Sequence, residues 1–170
     1  MLDHDIIEPS NSMWASPVIL VKKSNGTLRM AIDLRKVNDS TIRENYPLPD
    51  INQSLESLGG NQYFSSLDLA NGFLQIGINE ADRHKMSFVT PSGQYQLKRM
   101  GFGGKNSPTL FARLMASVLH GYCYKICLLY LDDIIVMGKT YEENIVRLDL
   151  VLARLQTANL KIKPSKCKLF

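Results

Sequence analysis

Between Arg83 and Leu131 the sequence contains no aspartate or glutamate, and none follows Asp149. Other scarcities exclude whole classes of protein. Three cysteines (Cys123, Cys127, Cys167) cannot pair off evenly, which argues against a disulfide scaffold and suits a reducing compartment. With 11 Gly and 7 Pro the chain is neither collagenous nor low-complexity. No apolar run approaches the roughly 18 residues of a membrane span. The opening Met1-Leu-Asp-His-Asp has neither a basic nor an apolar region, so no secretory signal is expected. What remains is 170 residues, 45% hydrophobic and 21% charged, without a repeat or linker. That composition fits one compact domain or a piece of a larger one.

The net charge of +4 says less than its distribution. From Lys22 to Arg43 the bases Lys22, Lys23, Arg29, Arg35, Lys36 and Arg43 face only Asp33 and Asp39. The acid-free stretch carries Arg83, Lys85, Lys98, Arg99, Lys105, Arg113 and Lys125, and Lys161, Lys163, Lys166 and Lys168 close the chain. Such segregation suits a polyanionic partner, nucleic acid or a nucleoside triphosphate. Ordinary solvated faces would give the same pattern.

The β-branched run Pro17 to Lys23, turn chemistry at Ser24-Asn25-Gly26 and a second run from Leu28 to Asp33 predict a hairpin with basic residues on both arms. Tyr46-Pro-Leu-Pro49 is extended, because each proline restrains its predecessor. Asp50 is expected to cap a helix that Gly59-Gly60 ends. A strand from Tyr63 to Leu69 leads into the small-residue turn Ala70-Asn71-Gly72. Met86 to Thr90 and Gln94 to Lys98 flank Pro91-Ser92-Gly93 as a second hairpin. Ser107-Pro108 opens a helix with apolar positions Leu110, Phe111, Leu114, Met115, Val118 and Leu119. Ile126 to Leu131 and Ile134 to Met137 are apolar strands. After Thr140 a further helix places Ile145, Leu148, Leu152 and Leu155 on one face. The sequence of elements predicts an α+β fold.

Asp132 and Asp133 interrupt an otherwise apolar strand–turn–strand. A buried ionised carboxylate is costly unless compensated, and a hard divalent cation compensates it well. Asp68 repeats the pattern in Phe64-Ser-Ser-Leu-Asp68-Leu69, and neighbouring strands in one sheet would bring it to the pair. Converging carboxylates suit two-metal phosphoryl transfer. An Asp-Asp pair in a plain hairpin turn, with Asp68 at the surface, is the other reading.

Tyr130-Leu-Asp-Asp133 resembles the Tyr-x-Asp-Asp box of reverse transcriptases. The chain as a whole is similar to the fingers-and-palm region of a gypsy-type LTR retrotransposon or retroviral Pol polyprotein. The resemblance extends through Ile7-Glu-Pro-Ser10, Trp14-Ala-Ser-Pro-Val18, Leu20-Val-Lys-Lys23, Gly26-Thr-Leu-Arg29 and Asp33-Leu-Arg-Lys-Val-Asn38. It continues through Tyr46 to Pro49, Phe64 to Ile76, Lys85 to Pro91, Asn106-Ser-Pro108 and Pro164-Ser-Lys-Cys167, in the family's order.

The resemblance implies an RNA-directed DNA polymerase, adding deoxynucleotides to a primer 3′-OH on an RNA or DNA template. It implies a right-hand fold with fingers at 1–45 and 77–110 and palm at 46–76 and 111–170. The antiparallel palm sheet would pack on helices, and the thumb would be absent. It implies Asp68, Asp132 and Asp133 as catalytic carboxylates. With the Leu69 carbonyl they would hold two Mg²⁺ ions, Mn²⁺ being the alternative. Lys22, Arg29, Asn71, Gly72, Phe73 and Phe102 would meet the incoming triphosphate, Phe73 as the gate against a ribose 2′-OH. Arg35, Tyr130, Leu131 and Pro108 would lie along template and primer. The remaining partners implied are the thumb, connection and RNase H parts of the polyprotein. The implied location is intracellular, in cytoplasmic particles or the nucleus, with no membrane.

This chain departs from the family pattern in Met100-Gly-Phe-Gly-Gly-Lys-Asn-Ser-Pro108, where Gly101 replaces a proline and Gly104 a large apolar residue. Both are expected to loosen the loop. Asn144 stands where histidine is usual, and Asp5 where glycine is usual. Ending before the thumb predicts weak processive synthesis by the 170-residue chain alone. The alternative function is a truncated or co-opted fragment that binds nucleic acid without turnover. A two-metal nuclease would leave Lys22, Arg29 and Phe73 without a role. Cys123, Cys127 and His120 lack the further ligands of a zinc set and are expected to be plain thiols and an isolated imidazole. His4 and His84 suggest no site.

Overall fold

The computed structural model describes residues 1–22, 26, 28–47, 51–130 and 133–170, with the backbone alone at 29, 51, 52 and 55. The expected turn residues Ser24 and Asn25 and the expected cap Asp50 lie outside these. The chain is α+β and divides into two compact units. One comprises Met1–Glu44 and Phe73–Ser107, the other Asn45–Gly72 and Pro108–Phe170. Among the described residues no helix is long and apolar enough to cross a membrane.

The first unit holds a five-stranded sheet in the order β1-β6-β5-β2-β3. Its strands are β1 (Ile7–Pro9), β2 (Ser16–Lys22), β3 (Leu28–Ile32), β5 (Ser87–Thr90) and β6 (Gly93–Leu97). β2 and β3 form the expected antiparallel arms, Val18 opposite Ile32 through Lys22 opposite Leu28. Only Ser16 and Pro17 reach β5, and they do so in parallel. The outer part of the hairpin therefore projects from the sheet, with Leu20 and Leu28 exposed. Phe88 and Leu97 anchor the β5–β6 arms in the core with Leu34, Val37 and Met100. Short helices α1 (Arg35–Asp39) and α3 (Glu80–Arg83) complete the unit.

The glycine-bearing loop 101–106 is tied to residues 38–44 by side-chain hydrogen bonds. Asn38 Nδ2 donates to the Gly103 carbonyl at 2.8 Å while its Oδ1 accepts from Lys105 N at 2.8 Å. Asn106 bridges the Ile42 carbonyl and the Glu44 amide. A Cβ at Gly101 would stand 2.8 Å from Leu97 Cδ1, and one at Gly104 would stand 2.5 Å from Ser107 Oγ. Gly103, at φ +94°, supplies the left-handed residue of the loop. The two substituted glycines thus sit close against Leu97 and Ser107. Asp5, where glycine is usual in the family, has φ 54°, and its carboxylate pairs with Lys98.

The second unit holds a three-stranded antiparallel sheet, β4-β8-β7, with β4 at Tyr63–Asp68, β7 at Cys127–Tyr130 and β8 at Asp133–Gly138. β7 and β8 are buried on both faces through Cys127, Leu128, Leu129, Ile134, Val136 and Met137. The helices are α2 (Ile51–Leu58), α4 (Ser107–Val118), which opens at the boundary between the units, and α5 (Tyr141–Thr157), which packs against β4 and β8. Phe111 and Met115 form the buried stripe of α4, continued by Leu119 just past its end, whereas Leu110 is exposed, contrary to its expected place on the apolar face. Thr140 caps α5 by accepting from Glu143 N.

On α5 the buried positions are Asn144, Val151 and Leu155, and Ile145 is 42% exposed. Leu155 is buried as expected and Leu148 and Leu152 are half-buried, but the face begins at the polar Asn144 rather than at Ile145. Asn144 earns that place by hydrogen bonding. Its Oδ1 accepts from Ser65 Oγ at 2.7 Å, and its Nδ2 donates to the Tyr63 carbonyl at 2.9 Å and the Val136 carbonyl at 3.3 Å. The free edge of β4 is taken by the segment after α5. Ser66 exchanges backbone hydrogen bonds with Lys168, and Ala70 N donates to the Lys161 carbonyl.

Candidate active site

Asp68 ends β4 directly opposite Asp133, the first residue of β8, and Asp133 in turn faces Tyr130, the last of β7. Directly opposed residues of an antiparallel pair project to the same face, with Cβ atoms about 4.5–5.5 Å apart. Two carboxylates and a phenol therefore line one row at one end of the sheet. Asp133 and Tyr130 are exposed, while the Asp68 side chain keeps 24% of its accessible surface. Like charges placed opposite one another repel, and a cation removes the penalty. Lys166 Nζ supplies one, 2.9 Å from Asp68 Oδ2.

Two hard carboxylates at adjacent strand ends fit the ligand habits of Mg²⁺, which binds through one or two protein carboxylates and keeps sites for substrate oxygens. Asp132 and Leu131, expected in this site, lie outside the described residues. Among the described residues no three His, Cys, Asp or Glu side chains converge on one point. Leu69 is buried and its backbone pairs with Ile162.

The turn after β4 is shaped by sterics. Asn71 is at φ 50°, and Gly72 is buried against the Phe111 ring, whose Cζ would lie 2.8 Å from any Cβ placed there. Only glycine allows the backbone this close to the ring. Pro108, in the first turn of α4, is exposed.

In the first unit, Lys22 is exposed at the tip end of β2, and Arg29 lies on β3 opposite Val21. The Arg29 side chain lies outside the described residues. The Phe73 and Phe102 rings pack at 5.1 Å with a 52° tilt, so two residues 29 positions apart form one aromatic surface. Arg35 is 87% exposed and forks onto Asp33, with contacts of 2.9 and 2.6 Å. That hydrogen bonding, and one from the Arg35 amide, holds the Asp33 carboxyl at about 2.

The acid-free stretch is less of a free cationic surface than the sequence suggests. Arg83 pairs with Glu8 at 3.5 Å, Lys98 with Asp5 and Glu8, and Lys85 with Asp82. Lys105 Nζ donates to the Asn38 and Thr41 carbonyls, and Arg113 lies over the Tyr46 ring at 5.4 Å. Lys166 is the neighbour of Asp68 that sequence reasoning passed over. It stands in Pro164-Ser-Lys-Cys167, but nothing in that string says the chain returns to Asp68.

The family model described as reverse transcriptase (RNA-dependent DNA polymerase) matches residues 21–170. The chain is 43% identical over 171 residues to the retrovirus-related Pol polyprotein from transposon opus of Drosophila melanogaster, covering 98% of this chain and 17% of that protein. Against the corresponding polyprotein from transposon gypsy of the same fly it is 36% identical, covering 100% of this chain and again 17% of the relative. Among solved structures, the foamy viral protease-reverse transcriptase in complex with RNA/DNA hybrid superposes with a TM-score of 0.89 at 26% identity. The native prototype foamy virus protein gives 0.84 at 28%. Each superposition covers 99% of this chain and 22% of the viral one.

Proposed function

As a member of the reverse transcriptase (RNA-dependent DNA polymerase) family, this chain is one, we propose, that contributes the polymerising carboxylates of a retrotransposon Pol polyprotein, transferring deoxynucleotides to a primer 3′-OH. The observation that carries the reading is the register of Asp68 opposite Asp133. In this reading Asp68, Asp132 and Asp133, with the Leu69 carbonyl, hold two Mg²⁺ ions. When bound, the ions lower the charge on the reacting oxygens. Lys22 and Arg29 bind triphosphate oxygens, and the Asn71 and Gly72 amides are donors to the same group. The Phe73 ring, backed by Phe102, excludes a 2′-hydroxyl. Arg35 and Pro108 lie along the template, and Tyr130 and Leu131 along the primer end. RNA/DNA hybrid and double-stranded DNA are the duplexes bound by the foamy viral neighbours, and a template–primer of either kind is the partner proposed here.

Catalysis of this type is positioning plus charge neutralisation. The test is primer extension by a version of the chain lengthened to the next several hundred residues of its reading frame. Asp133→Asn and Asp68→Asn are expected to abolish incorporation while leaving template–primer affinity within about twofold. Incorporation that survives either change sinks the assignment. A nucleic-acid-binding fragment without turnover is the weaker reading, because Arg83, Lys85 and Lys98 already have acidic partners.

A further inference from the structure

Both in the second unit, Cys123 lies in the tight connection between α4 and β7, and Cys127 is the first residue of β7. The Tyr122 carbonyl accepts from the amides of Lys125, Ile126 and Cys127, at 3.1, 3.0 and 3.3 Å. Tyr124, at φ 64°, turns its amide back onto the Cys127 carbonyl at 2.9 Å. The result is a parallel bridge with Cys123 and Cys127 as direct partners. Bridged backbones lie about 4.7–4.9 Å apart, inside the roughly 4.4–6.8 Å that a disulfide spans. The two thiols are near enough to shift one another's acidity in opposite directions. Their environments differ: Cys123 is half-buried and Cys127 fully buried.

We propose that Cys123 and Cys127 are a peroxide-oxidisable dithiol, a modification site that closes to an intramolecular disulfide without rearranging the loop that holds it. The oxidant is a hydroperoxide. The more accessible sulfur, Cys123, attacks one peroxide oxygen, the O–O bond breaks, and the leaving hydroxide takes up the proton that Cys123 gave up, forming water. The Cys127 sulfur then attacks the Cys123 sulfenic acid. The S–S bond forms, the S–OH bond breaks, and the hydroxyl leaves as water with the Cys127 proton. Two thiols and one peroxide become one disulfide and two waters, each sulfur giving up one electron. The order of roles follows from access and from acidity, because the hydrogen bond from Cys127 holds the Cys123 thiol down to about 7 while the Cys127 thiol is pushed up.

Lys125 separates the two cysteines, so trypsin divides them between peptides 114–125 and 126–139. The 170-residue chain is treated with hydrogen peroxide, blocked with N-ethylmaleimide and digested without reductant. The expected product is peptide 114–125 joined to 126–139, two hydrogens lighter than the pair and separated by dithiothreitol, with Cys167 alkylated. Cys127→Ser is expected to stop at a sulfenic acid on Cys123 that dimedone traps. Recovery of Cys123 as sulfinic acid beside an alkylated Cys127 overturns the proposal. So does a cross-link between two chains, or oxidation of Cys127 in Cys123→Ser.

Discussion

The Ser65 hydroxyl donates to Asn144 Oδ1 at 2.7 Å with both side chains fully buried, tying helix α5 to the strand that ends in Asp68. A single amide thus satisfies a hydroxyl and two carbonyls in an otherwise apolar layer. Asn144→Ala leaves these groups without their partner, at a cost of about 1–3 kcal/mol for a buried unsatisfied group. The expected loss is about 2–3 kcal/mol, read as a lower urea midpoint with an unchanged slope. A shift below about 0.5 kcal/mol would mean the bonds are idle.

Gly72→Ala drives a methyl into the Phe111 ring, which lies 2.8 Å from that Cβ position. Overpacking of this kind costs about 1–3 kcal/mol. Adding Phe111→Leu removes the clash, so the double variant is expected to regain part of the loss in thermal unfolding. Simple additivity of the two changes would show that the contact does not matter.

The Lys166–Asp68 pair is half exposed, with side chains 57% and 24% accessible, so its contribution to stability is under about 1 kcal/mol. Its effect on metal binding should be larger. Asp68→Asn is expected to weaken Mn²⁺ binding measured by electron paramagnetic resonance, while Lys166→Ala is expected to tighten it by removing a competing cation. Unchanged or weaker binding in Lys166→Ala counts against the ammonium as a competitor.

Cys123 is lowered to about 7 by the Cys127 thiol, so its thiolate predominates above that pH and is lost as pH falls through it. Alkylation of Cys123 by iodoacetamide, followed on peptide 114–125, should therefore rise with a midpoint near 7. In Cys127→Ala the midpoint should move up toward the ordinary thiol value of about 8.5. An unmoved midpoint would remove the hydrogen bond as the cause.

The hairpins were legible because each rests on a short β-branched or apolar run beside turn residues, and the pairing of Asp68 with the Asp-Asp segment followed from the same strands. Family motifs, not spacing, supplied most of the proposed site residues. The first position of the α5 face was not legible, since a periodicity argument counts apolar positions and Asn144 is buried for its hydrogen bonds. Strand β1 was missed because three residues ending in Pro9 carry no alternation to read. The pairing of Arg83 with Glu8 spans 75 positions, so local charge counts mistake a neutralised surface for a basic one. The clamp by Asn38 and Asn106 on the glycine loop is hidden for the same reason, its partners lying more than 60 positions away.

The closure of β4 by residues 161–168 also sets a timetable. Asp68 and Lys166 are 98 positions apart. At a synthesis rate of about 5–20 residues per second, that interval lasts about 5–20 s. The β7–β8 hairpin is local and can form within that time, whereas the outer edge of β4 has no partner until residues 161–168 have been made. For those seconds a row of unsatisfied amides and carbonyls stands open to strands of neighbouring nascent chains. The step that gives Asp68 its cation is therefore also the one that ends this exposure.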